Sequence, residues 1–146
     1  MNRSIFKMFN ESEVRFLTAM RVARLATADS SGQPHVIPIV FAFDGQRLYT
    51  PIDEKPKRVG PKQLKRVRNL LENNQLAIVV DRYDADWTQL AWVLVKGTGE
   101  FVEEGEQSRT GIKLLKEKYS QYEDMPLEGR PLIVVTPHEV TSWGAL

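Results

Sequence analysis

Seven of the chain's 20 basic residues crowd into one short stretch: Lys55, Lys57, Arg58, Lys62, Lys65, Arg66 and Arg68, with no acidic residue among them. The rest of the chain is acidic in balance, so the positive field is concentrated on one place. Such a field beside a strand end and a helix start suits an anion, most simply a phosphate. Lysine offers a point charge, and arginine offers a planar fork of donors matched to phosphate oxygens. The cluster has two parts. Lys62, Lys65, Arg66 and Arg68 lie off the apolar stripe of a predicted helix (Leu64, Val67, Leu70, Leu71), and for Lys62 and Arg68 a solvated face is explanation enough. Lys55-Pro56-Lys57-Arg58 has no helical face to explain it, and its proline lowers the entropy lost in clamping a ligand. Tyr49 and Thr50 stand immediately before these charges, where a hydroxyl would reach a phosphate, although both are ordinary strand residues.

Other residue types narrow the chemistry. The chain has no cysteine and two histidines, His35 and His138, which excludes thiolate nucleophiles, disulfides and cysteine-ligated metals. His35 reads as a structural histidine rather than a general base. Asp81, Asp84 and Asp86 are interrupted by Arg82 and match no calcium loop, so they read as turn residues. Trp87, Trp92 and Trp143 are core or interface residues by default, yet a flat ring would use the same surfaces. No nucleophile elbow, phosphate-binding P-loop, zinc-protease motif or dinucleotide fingerprint occurs. Redox chemistry, if this chain performs any, would come from a bound cofactor. A nucleic-acid reading of the basic patch lacks a reading helix, an aromatic platform or an extended basic groove, and total charge near zero disfavours it further.

The elements that must position these residues follow from periodicity and turn chemistry. Asn10 and Glu13 form a capping-box pattern ahead of a short helix over residues 11–19, with Val14, Leu17 and Met20 at helical spacing. Strands are predicted at 22–27 and 34–43, separated by the turn Asp29-Ser30-Ser31-Gly32, and at 47–50 after the hairpin signal Asp44-Gly45. Pro38 inside the second run implies an edge, a bulge or a break. A helix over 62–73, strands at 76–83 and 90–102, a helix over 108–119 and strands at 132–136 and 140–143 complete the pattern. The result is mainly β, with six or seven strands and three helices and no β-α-β alternation, hence an antiparallel barrel or sandwich. At 146 residues it reads as one domain. No apolar run is long enough to span a bilayer, and residues 1–10 hold no signal-peptide block, which predicts a cytoplasmic chain.

The order of segments resembles the pyridoxamine 5′-phosphate oxidase-like superfamily over almost the whole chain. The resemblance is carried by Val22-Ala23-Arg24-Leu25-Ala26-Thr27, by Gly32-Gln33-Pro34-His35-Val36-Ile37-Pro38-Ile39, by Asp44-Gly45 with Leu48-Tyr49-Thr50, by Arg68-Asn69-Leu70 before Ala77-Ile78-Val79-Val80-Asp81, by Gly97-Thr98-Gly99 and by Pro137-His138-Glu139-Val140. The branch that uses the deazaflavin coenzyme F420 is the nearest pattern, through Asp53-Glu54-Lys55-Pro56-Lys57 and the turn from Asp84 to Trp87. What the resemblance implies is a split β-barrel of the FMN-binding type, paired as a homodimer with cofactor grooves between subunits. Pro38, Ile39 and Val40 would line the ring through backbone groups, and Tyr49 and Thr50 would stand at the strand end. Lys65 and Arg66 would hold the phosphate, with Lys55 and Lys57 as additions. The implied activity is hydride transfer between F420, or FMN, and a small organic substrate; the same residues would serve a carrier or sensor that binds without turnover. The tail Thr141-Ser142-Trp143-Gly144-Ala145-Leu146 lacks the arginine and histidine with which true pyridoxamine phosphate oxidases bind substrate, which argues against vitamin B6 oxidation.

Overall fold

The computed structural model describes residues 7–52 and 64–146. Seven antiparallel strands form one curled sheet in the order β2-β1-β5-β6-β7-β4-β3. The strands are β1 (Ala23–Ala28), β2 (Pro34–Ile39), β3 (Ala42–Phe43), β4 (Leu48–Pro51), β5 (Gln75–Arg82), β6 (Ala91–Val102) and β7 (Leu132–Gly144). Among the described residues, three α-helices, α1 (Glu11–Ala19), α2 (Lys65–Glu72) and α3 (Glu106–Lys118), pack with the sheet. This is the antiparallel split barrel that the sequence predicts. Among the described residues, no helix is long and apolar enough to cross a membrane.

Two predicted elements come out differently, and one of them builds the site. The run 34–43 is two strands, not one. It breaks at Val40 and Phe41, and β2 and β3 lie on opposite edges of the sheet. The chain crosses the barrel at that break, and the crossing is the split. A crossing strand leaves backbone groups without a ladder partner. The Tyr119 hydroxyl, just past α3, accepts the Phe41 N–H at 3.2 Å and lies 2.9 Å from the Phe41 carbonyl and 2.8 Å from that of Arg21. The second difference is β7. The predicted strands 132–136 and 140–143 are continuous, joined through a register shift opposite Lys96 and Gly97.

The core follows the period-two pattern. Leu25, Ile78, Val80, Val93 and Val95 point inward and are at most 1% exposed. α1 starts at the expected box, in which Asn10 Oδ1 accepts the Glu13 N–H at 2.8 Å and Glu13 Oε1 accepts the Asn10 N–H at 2.9 Å. It delivers Phe16 and Leu17 to the core, and α2 delivers Val67 and Leu70. A second cluster, around Tyr49, Leu115, Tyr119 and Leu132, lies beneath α3.

Candidate functional site

An open pocket of about 260 Å³ lies where the chain crosses, lined by Val22, Pro38, Ile39, Val40, Thr50, Pro51 and Arg66. Five of these are residues that the sequence singles out. β2 presents its last residues here: Pro38 on the outside, Ile39 buried, and Val40 on the crossing. Thr50 is 2% exposed, and its hydroxyl donates to the Val40 carbonyl at 2.8 Å. That bond ties β4 to the crossing segment at the pocket wall. It also commits the only hydroxyl proton of Thr50, which leaves lone pairs rather than a donor for any ligand.

Arg66 is the second residue of α2 and is 6% exposed. An arginine stays protonated in proteins, so a full positive charge sits at the wall of a slot otherwise lined by Thr50 and apolar side chains. The α2 start adds the positive end of the helix dipole, and its N-cap, Leu64, has no side-chain acceptor to offer the first turn.

The neighbouring residues take other places. Lys65 turns away from the pocket lining, and its Nζ lies 3.7 Å from Asp29 Oδ2. Asp29 caps its own turn, accepting from the Ser31 N–H and hydroxyl and from the Gln33 N–H. Those bonds, the Ser31 hydroxyl first, pull the Asp29 carboxyl down to about 2. Glu72, at the far end of α2, accepts the Ser30 N–H at 3.0 Å, which holds its own carboxyl low. The β1–β2 turn is thus strapped to both ends of α2, and that docking sets where Arg66 points. Tyr49 faces the opposite side of β4. It is 2% exposed beneath α3, and its hydroxyl donates to Asp44 Oδ2 at 2.7 Å. Burial, then the Asp44 carboxylate, pushes the phenol well above its ordinary range. Lys55, Lys57, Arg58 and Lys62 lie outside the described residues.

Sequence reasoning missed Val22 and Pro51. The signal for Val22 was present: with Ala23 paired to Ile39, Val22 falls beside Val40 at the open end of the β1–β2 ladder. Other residues with chemical potential lie elsewhere. Asp84 and Asp86 accept backbone N–H groups of the β5–β6 connection, and Asp81 pairs with Arg24. None of the three tryptophans is in the core: Trp87 is 71% exposed, Trp143 53%, and Trp92 half-buried.

The lining is chemically quiet. Among the described residues it holds no nucleophile and no group that titrates near neutral pH. It combines an apolar strand end, the Thr50 oxygen and the Arg66 cation.

A family model described as pyridoxamine 5′-phosphate oxidase matches residues 9–144. A curated relative, the 5a,11a-dehydrotetracycline/5a,11a-dehydrooxytetracycline reductase of Streptomyces rimosus, is 26% identical over 137 residues, covering 93% of this chain and 83% of that protein. Among solved structures, the heme storage protein HutZ from Vibrio cholerae superposes with a TM-score of 0.71 at 19% identity, over 95% of each chain. A FAD-binding protein from Mesorhizobium loti superposes with a TM-score of 0.65 at 23% identity, over 88% of this chain and 87% of that one.

Proposed function

This chain belongs to the pyridoxamine 5′-phosphate oxidase family, and from that premise we propose that it is an oxidoreductase binding a flavin-type cofactor in the pocket at the split, with coenzyme F420 favoured over FMN, and passing a hydride to a small organic substrate. The observation that carries the reading is Arg66, 6% exposed on the wall of an apolar pocket at the end of β2. A ring bearing a phosphate satisfies both halves of that pocket. The segment 38–40 flanks the ring, and Arg66 and the α2 start take the phosphate. The cofactor supplies the hydride chemistry when bound. The chain's own residues orient the ring, keep water from the face against Ile39, and hold the anionic tail. Lys65, with Lys55 and Lys57, adds positive field around that tail. The extended run of basic residues supports F420, whose polyglutamate tail is anionic along its length. The reductase from Streptomyces rimosus and the FAD-binding structural neighbour support a redox, flavin-type reading. Heme is less suited to this pocket, since neither His35 nor His138 is among its lining residues.

A second reading shares the site: a carrier or sensor that binds the cofactor without turnover. It draws on the absence of an acid or base among the described lining residues. Titration of the full chain with F420 and with FMN, followed by fluorescence, tests the common premise. Saturable micromolar or tighter binding of either supports it, and failure to bind both overturns it. Reoxidation of the bound, reduced cofactor by added acceptors, faster than that of free cofactor, separates enzyme from carrier.

A further inference from the structure

Helix α1 ends without a basic residue in its last turn, so its terminal carbonyls take donors from other elements. Lys118, the last residue of α3, supplies one: its Nζ donates to the Leu17 carbonyl at 3.4 Å, a long bond. The return contact comes from Arg21, between α1 and β1, whose guanidinium donates to the Lys118 carbonyl at 2.9 Å. Both cations rest on aromatic rings. Lys118 Nζ lies 3.9 Å from the centroid of Phe41 and 5.6 Å from that of Tyr119, and the Arg21 guanidinium carbon lies 4.8 Å from the Tyr119 centroid. Phe41 and Tyr119 are buried, Lys118 is half-buried and Arg21 is exposed. Among the described residues neither cation is paired with a carboxylate, whereas Lys65 meets Asp29 and Lys116 meets Glu128.

That setting separates Lys118 from the other lysines of α3. An ammonium on a buried ring, with one long hydrogen bond and a second cation beside it, loses hydration without gaining a counter-charge. Burial, then the Arg21 charge, holds the Lys118 ammonium down to about 8. About a quarter of the side chain is then neutral at pH 7.5, against about one part in a thousand for an ordinary lysine. A desolvated lysine next to another cation is an activated nucleophile. The same neighbour selects the reagent. Arg21 offers an exposed fork of donors matched to phosphate oxygens, so it attracts an electrophile whose leaving group is a phosphate. Lys113, five residues earlier on the same helix, is exposed and serves as an internal reference.

We propose that Lys118 is an acylation site for acyl phosphates, with Arg21 holding the phosphate as it leaves. The Nζ lone pair forms a bond to the acyl carbon. The bond from that carbon to the phosphate oxygen breaks, its electron pair leaves with the phosphate, and the amine proton passes to water. The product amide is neutral, which suits a side chain lying against two rings. The proposal stands apart from the cofactor reading. Incubation of the full chain with acetyl phosphate at pH 7.5, with acetylation mapped by peptide mass spectrometry, is expected to modify Lys118 at least fivefold faster than Lys113. Added inorganic phosphate is expected to slow Lys118 at least threefold and to leave Lys113 unchanged. Arg21→Ala is expected to slow acetyl phosphate at Lys118 at least threefold more than it slows N-acetoxysuccinimide, a neutral ester that reports on the amine alone. Lys118 modified no faster than Lys113 overturns the proposal. Fast modification that phosphate does not slow, and that Arg21→Ala slows equally with both reagents, overturns the part given to Arg21.

Discussion

Arg66 and Lys65 are chain neighbours with the same charge, and the helix sends them to different tasks. Successive helical residues point about 100° apart, so Arg66 reaches the pocket while Lys65 reaches Asp29. Arg66→Ala is accordingly expected to cost about 1.5–3 kcal/mol of cofactor binding, the range of a charge-assisted hydrogen bond and at least about tenfold in affinity. Lys65→Ala is expected to cost less than half as much. Fluorescence titration of both variants checks the ranking, and equal losses would place both cations at the tail. The pocket was legible in part, because a proline in a strand is anomalous and a basic run suits an anion; the burial of Arg66 was not, since Arg66 lies off the apolar stripe of its helix. The division of labour was not. Tyr49 and Thr50 also sit side by side, yet strand alternation places one under α3 and the other at the pocket. Only the phase of β4 against β7 decides which goes where, and that phase is a tertiary fact.

At the scale of elements, the β6–β7 ladder turns on Gly97. The register passes from Lys96 opposite Glu139 to Gly97 opposite Pro137, which leaves His138 as the extra residue of a bulge. Pro137 has no N–H to give the ladder and fits such a place. A Cβ on Gly97 would lie 2.2 Å from the Thr136 carbonyl oxygen, a backbone atom with no rotamer to yield. Gly97→Ala is expected to cost about 2 kcal/mol or more and to lower the melting temperature by several degrees. An unchanged melting curve would mean that the bulge relaxes freely. Two glycines in one strand, Gly97 and Gly99, are a local sign of a bend or bulge, but nothing local says that β7 runs on through it. The strap between the β1–β2 turn and α2 gives a pH signature. Asp29 titrates at about 2 in the fold against 3.8 ordinarily, so its folded form binds fewer protons than the unfolded chain in that window. Its stabilisation is complete above about pH 4 and is lost as pH falls toward 2. Asp29→Asn is expected to flatten that part of the stability curve relative to the native chain, read by urea unfolding from pH 5 to pH 2.

The whole molecule shows what a single chain hides. Turns and alternation predicted an antiparallel, mainly β chain of six or seven strands, and seven stands because one predicted strand divides at Val40 while two others join in β7. The sheet's outer face was not legible, because an apolar run such as residues 76–80 does not say what meets its second side. If the chain pairs as the family resemblance implies, with cofactor grooves between subunits, ligand and partner are thermodynamically linked. If the paired state binds cofactor more tightly than the lone chain by some factor per site, cofactor must tighten the pair by the corresponding factor, since the two routes to the same complex have equal free energy. Saturating FMN or F420 is therefore expected to lower the dimer dissociation constant at least tenfold, about 1.4 kcal/mol or more. Sedimentation at submicromolar protein, with and without cofactor, measures it. A cofactor that binds tightly and leaves the dissociation constant unmoved would place the ring wholly within one copy, with Ile39 and Arg66 sufficient to hold it.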